Sequence, residues 1–362
     1  NLELFRLGGS ISLNTQSERT SLTISGPQER LPEILQLAKA KMTAPELNSG
    51  VWAGVADAAK LARQTARQKP AAILNALADY AKLGENSAVL RQLKTADLAK
   101  ITPEAIAALP QKLMQTDAFL LACLPESITL TQLAGLPLNI GRTKVETPCF
   151  PHLDFSKPRV LAVDFPSTQT HILFLNSGAV YTPDNYAYRL WFNQYFGLGM
   201  GSTVFATLRE SQALCYTAYA VYDTPSRPED PHYYRFYIGT DAAKTTAALA
   251  AAKSLTMPVN VEKMNAVKAL LLKNFRAERM TPVECLNTAF TYKIMNLPPD
   301  YREQNFAALQ NMGATGLVKF YAENIHRKTP SLLLVGPLPP PEALAKYGEV
   351  EYLTVDDIMP AE

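Results

Sequence analysis

The stretch GLGMGSTVFATLRESQALCYTAYAVYD, residues 197–223, decides how this chain is read. A glycine-rich turn opens it, with Ser202 or Thr203 placed to cap a helix. An apolar-periodic helix then ends near Arg209, and an aromatic-rich strand begins near Leu214. The short turn between them brings the Arg209 guanidinium and the Tyr216 phenol, seven residues apart, onto one face. Such a pair can grip a peptide carbonyl and an oxyanion, but it supplies neither nucleophile nor metal to break a bond. On the residues alone a plainer role stays open: an arginine in a last helical turn complements the helix dipole, and a tyrosine at a strand start packs. The glycines do not form a phosphate cradle. Position 202 is Ser where a dinucleotide fingerprint needs Gly, a helix precedes the run, and no Gly-Lys-Ser/Thr follows.

Working outward from this stretch, Arg159-VLAVD and Thr170-HILFLNSG read as strands and Pro183–Phe196 as an aromatic-rich helix. Downstream come a strand at Tyr233–Gly239, helices at Ala242–Ser254 and Val261–Met280, and further helical segments to about Asn324. Ser331-LLLVG is a last buried strand, closed by the proline cluster Pro337–Pro341. Upstream, residues 9–25 alternate around a polar turn and predict a hairpin. Helices follow at Pro32–Met42, Ala53–Arg67 and Pro70–Leu83, and Thr102-Pro103-Glu104 opens another that runs to about Leu113. Asp117-AFLLACLPE has the composition of a short buried strand. Four prolines between Leu136 and Pro158 mark a linker.

Both halves therefore end alike, with a helix, a polar turn, an apolar strand and a proline stop, a weak internal duplication. The expectation is an α+β protein of two homologous domains, 1–135 and 159–362, joined by a linker at 136–158. Each domain is expected to be a mostly antiparallel sheet with helices on one face.

Composition narrows the function classes. The 362 residues are 47% hydrophobic and 19% charged, ordinary globular values for two cores. A net charge of +2 is too small for a nucleic-acid footprint. No apolar run approaches the roughly 20 residues of a transmembrane helix. The four cysteines lie far apart without a CxxC and read as free thiols. Of His152, His171, His232 and His326, no two fall within 15 residues, so neither HExxH nor HxxEH is present. No G-x-S-x-G elbow occurs either. Metal and nucleophile are both missing from the pattern.

With those absences in view, residues 197–222 resemble the glycine–helix–LRE–x–x–x–L–x–Y–strand signature of the M16 (pitrilysin/insulinase-type) zinc peptidases. Gly8-GSISLNTQSERTSLTISG is similar to that family's hairpin after its first helix, and Asp97-LAKITPEAIAALPQKL to the closing helix of an M16 domain. Val163-DFPSTQTHILFLN and Tyr234-RFYIGTDAAKTTAAL fall where second-domain strands and the following helix would. M16 enzymes consist of two homologous halves, each of two α+β domains, that close around a peptide. One half carries HxxEH and zinc, and the other is metal-free and supplies an Arg and a Tyr at this spacing.

The resemblance implies that this chain is the second, non-zinc half. It is expected to be inactive alone and to lack the strand and helix that would precede the family's first hairpin. Arg209 would be substrate-binding and Tyr216 catalytic, as an oxyanion donor. Zinc would sit only in a zinc-bearing partner half, on the same polypeptide or another, and a peptide would be the substrate. Two departures stand out. Ser211-Gln-Ala213 replaces the Lys-Arg-Gly common in the family, and the sequence starts at the family's hairpin, without the strand and helix expected ahead of it. The alternatives are a non-catalytic M16-like scaffold or assembly subunit, and a peptide-binding module without turnover.

Overall fold

The computed structural model describes residues 2–16, 19–45, 49–98, 100–116, 118–126, 128 and 150–359. They fall into two compact units, one of residues 1–64, 92–150 and 361–362, the other of residues 65–91 and 151–360.

The first unit contains the expected hairpin. Strands β1 (Ser10–Gln16) and β2 (Arg19–Ser25) pair antiparallel from Ser10↔Ser25 to Gln16↔Arg19. The Ser10 and Ser25 hydroxyls meet across it at 2.8 Å. Helix Leu31–Thr43, with proline in its first turn, buries Ile34 and Ala38. Helix Pro103–Ala107 starts as its sequence dictates, with the Thr102 hydroxyl accepting the Ala105 N–H at 3.3 Å. The strand expected at 117–126 does not form among the described residues 118–126, where Phe119 is 56% and Leu121 40% exposed. An apolar run becomes a strand only where a neighbour offers unpaired backbone, and among the described residues β1 and β2 pair with each other. The matching strand endings of the two halves are thus not both realised.

The second unit is built on a six-stranded sheet in the order β5-β6-β4-β7-β3-β8. Its strands are β3 (Arg159–Asp164), β4 (Gln169–Val180), β5 (Thr217–Tyr222), β6 (Pro231–Asp241), β7 (Ser331–Gly336) and β8 (Glu349–Leu353). Pairings β5–β6, β6–β4 and β4–β7 are antiparallel, whereas β3 is parallel to both β7 and β8. All of β7 is buried, which is why Ser331-LLLVG is apolar without alternation. Strand β8, with its polar Glu-Val-Glu-Tyr-Leu pattern beyond the proline cluster, is not anticipated by the sequence reading.

The helices on one sheet face bury Trp191, Phe192, Tyr195 and Phe196 among Ile172, Phe236, Ile238 and Leu334. The polar tips of two of these rings find partners, Trp191 Nε1 donating to the Met264 carbonyl and Tyr195 Oη to that of Pro258, both at 2.8 Å. The opposite face is covered in part by helix Pro70–Leu83, whose Ile73, Leu77 and Ala81 pack on Leu161, Leu173, Leu333 and Val335.

The sequence reading places this helix in domain 1–135. Its apolar stripe fits the second, equally apolar side of β3, β4 and β7, so it joins the second unit. The residues of the expected linker that are described, 150–158, also belong largely to this unit. The Leu153 N–H donates to the Lys82 carbonyl at 2.7 Å, and His152 meets the Tyr233 hydroxyl at 2.7 Å. The rest of that linker, 136–149, lies outside the described residues.

Candidate functional site

The site is built by the turn between helix and β5. The Ser202 hydroxyl accepts the Phe205 N–H at 3.3 Å and starts helix Thr203–Phe205. The helix widens into a π-helical turn, Ala206–Ser211, that buries Leu208 and leaves its neighbour Arg209 partly exposed. Ala213 then takes the left-handed conformation, with φ 49°. The reversed chain is held at three points: the Leu214 N–H donates to the Leu208 carbonyl (2.9 Å), Thr240 Oγ1 to the Leu214 carbonyl (2.6 Å), and Lys244 Nζ to the Ala213 carbonyl (3.0 Å). Finally, the Tyr216 N–H donates to the Gly239 carbonyl at 3.1 Å and locks Tyr216 just ahead of β5.

Arg209 and Tyr216 come together as the sequence predicts. The guanidinium carbon lies 5.1 Å from the Tyr216 ring centroid and 4.7 Å from that of Phe205. Held against two aromatic rings, the cation loses freedom while its N–H edges stay available to a carbonyl. Its ion-pair partner is Glu210, at 3.7 Å from Nε. The Tyr216 side chain points outward, and the residue is 72% exposed.

Both residues line a cleft of ≈ 400 Å³ with Gln169, Cys215, Asp241 and Lys244. Burial raises the Cys215 thiol above its usual range, only partly countered by the Arg209 charge, so the thiol stays protonated and is no nucleophile. The cleft can bind, orient and donate hydrogen bonds. Phe205, Lys244, Asp241 and Gln169 are the residues that sequence reasoning missed. A signal exists for one of them: Phe205 stands one helical turn before Arg209.

The far side of β5 explains the glycine run. Asn193 uses both ends of its amide on one residue: Nδ2 donates to the Tyr222 carbonyl (3.1 Å) and Oδ1 accepts the Tyr222 N–H (2.8 Å). It thus does for the edge strand what a neighbouring strand would. At Gly197 a Cβ would stand 1.7 Å from the Ala220 carbonyl oxygen, so only glycine lets the π-helical turn Asn193–Gly197 lie on β5.

The left-handed Ala213 occupies the position where the M16 signature commonly has glycine. Ala213→Gly is expected to stabilise the protein by about 1 kcal/mol by removing the Cβ penalty. The check is an upward shift of the urea midpoint with an unchanged slope.

The histidines are engaged singly. His152 contacts Asp230 at 3.3 Å as well as Tyr233, His171 meets the Tyr237 hydroxyl at 2.8 Å, His232 bonds the Asp223 carbonyl, and His326 lies against Tyr321. Among the described residues, no group of three or more His, Cys, Asp or Glu side chains is placed to hold a metal ion. No helix among them is long and apolar enough to cross a membrane.

No family model and no curated protein matches the chain. Solved structures do. The inactive domain of a peptidase M16 from Pseudomonas fluorescens is similar over 93% of this chain and 82% of its own, with 17% identity and a TM-score of 0.69. The periplasmic protease PqqL from Escherichia coli matches 92% of this chain with 13% identity and a TM-score of 0.71, although the chain spans only 38% of it. The ferredoxin protease FusC, solved in complex with Arabidopsis ferredoxin, matches 93% of this chain at 16% identity and a TM-score of 0.70, again over 38% of its own length. At these identities the likeness speaks to fold. The expectation from residues 197–222 holds at that level: the chain has the α+β fold of the M16 peptidases and is matched nearly end to end by an M16 inactive domain.

Proposed function

We propose that this chain is the zinc-free half of an M16-type endopeptidase, contributing substrate-binding and oxyanion-stabilising groups to an active site whose metal is held by a partner half. The observation that carries this reading is the stack of Arg209 on Tyr216 at the mouth of the cleft. Arg209 holds a backbone carbonyl of the peptide and fixes its register. Tyr216 donates its hydroxyl to the oxygen that becomes negatively charged when the peptide carbonyl is attacked. The zinc belongs to the partner half and supplies there the activation of water. Among the described residues, no group of three or more His, Cys, Asp or Glu side chains is placed to hold it.

The substrates are polypeptides, proteins included. The complex of the similar protease FusC with a ferredoxin supports that class. In the assembled enzyme, Arg209→Ala is expected to raise KM about tenfold or more, since a charge-assisted hydrogen bond and its register are lost. Steady-state kinetics on a fluorogenic peptide measure this. An unchanged KM would remove Arg209 from the substrate site.

A further inference from the structure

Beside the cleft, one sheet face carries a floor of aromatic side chains. Thr217 and Tyr219 alternate onto this face, and Tyr219 pairs with Tyr237 of β6, which pairs with Leu173 of β4. The next row is Thr217, Gly239 and His171. Gly239 has no side chain to fill its place, and Tyr237 lies across the gap. A Cβ on Gly239 would meet the Tyr237 hydroxyl at 2.9 Å, and that hydroxyl reaches His171 Nδ1 at 2.8 Å. The Tyr219 ring stacks on Tyr237 with centroids 5.1 Å apart and planes 26° apart. Farther along this face, helix Pro70–Leu83 covers Leu173 and Leu175, but Tyr219, Tyr237 and His171 stay partly exposed.

The floor is uncharged at neutral pH. Burial lowers the His171 imidazole below its usual range and pushes the Tyr237 phenol up to about 12. It is continuous with the cleft through Cys215, a lining residue close enough to Tyr237 to raise the phenol further. Tyr219 stands three residues along β5 from Tyr216, roughly 10 Å at strand rise, the reach of three extended peptide residues.

We infer that Tyr219, Tyr237 and His171 form a side-chain subsite that receives an aromatic or large aliphatic residue of the bound peptide, about three residues from the carbonyl held by Arg209. The inference rests on the peptide-binding reading of Arg209 and Tyr216. A neutral, stacked floor beside a charged grip favours an uncharged, flat or bulky occupant over an acidic or basic one.

The test uses this chain with short fluorescein-labelled Gly-Ser-Ala peptides, a parent and variants each with a single Phe. Binding is followed by polarisation in wild type, Tyr219→Thr and Arg209→Ala. Threonine keeps the β-branched character of an edge strand, and matched thermal melts establish that the variant folds. The best-placed Phe is expected to tighten binding about tenfold over the parent, and Tyr219→Thr to erase that ratio. Arg209→Ala should weaken both peptides and preserve the ratio. A benzophenone in place of the Phe should crosslink to segments containing Tyr219, Tyr237 or His171. A ratio unchanged by Tyr219→Thr, or crosslinks mapping elsewhere, overturns the subsite while the Arg209 reading stands. Binding that is indifferent to Arg209→Ala overturns that reading instead, and a chain that binds neither peptide overturns both.

Discussion

Tyr216→Phe is expected to lower kcat of the enzyme assembled with its zinc-bearing half by about 10²–10³-fold, with KM nearly unchanged. The substitution removes one hydroxyl and nothing else. Tyr216 is 72% exposed, so no core contact depends on that oxygen. Its main-chain bond to the Gly239 carbonyl remains, and so does the ring on which Arg209 rests. Ground-state binding should survive for that reason. Only the donor to the charge that develops in the transition state is lost, so the effect belongs in kcat. Steady-state kinetics over a range of peptide concentrations separate the two parameters. Turnover at the wild-type rate would sink the oxyanion role and favour the reading of this chain as a scaffold. A rise in KM alone would make Tyr216 a binding residue.

The Arg209–Tyr216 pair was legible because its two members are joined by a short turn, which sequence spacing describes well. The same holds for the hairpin at 9–25, the Thr102 cap and the strands at 159–164 and 331–336, where side-chain periodicity or a capping residue reports local structure directly. What failed depends on the choice of partner. Helix Pro70–Leu83 has an apolar stripe that announces burial without saying against which sheet, and it packs in the second unit. Residues 118–126 have strand composition yet form no strand among the described residues, and their apolar side chains stay partly exposed. Strand β8 is the converse, a polar pentapeptide made into a strand by parallel pairing with β3. The remaining cleft residues were hidden for a related reason: Lys244 and Gln169 reach the site only because β5, β6 and β4 lie side by side. Their contribution is written in register, which no local pattern encodes.

The glycine run that opens the deciding stretch yields the other large effect. Gly197→Ala is expected to destabilise the protein by about 3 kcal/mol or more, whereas Gly201→Ala should stay within about 0.5 kcal/mol of wild type. The difference lies in what a methyl group meets. At Gly197 it would stand 1.7 Å from the backbone oxygen of Ala220, and a backbone atom in a paired strand cannot rotate away. At Gly201 nothing lies within 4 Å. To admit the methyl, the turn Asn193–Gly197 must lift from β5, and the Asn193 bonds to the Tyr222 N–H and carbonyl stretch with it. Those groups are buried, so weakening them adds the cost of unpaired polar atoms. Urea denaturation of the two variants makes the comparison. A Gly197→Ala protein as stable as wild type would mean that the edge of β5 is not held by this turn. The site would feel the same shift, because Tyr216 leads directly into β5, so the Gly197→Ala protein that does fold should also bind peptide more weakly. Parallel stability and binding losses at Gly197, with neither at Gly201, would separate a glycine needed for packing from one that is merely part of the motif.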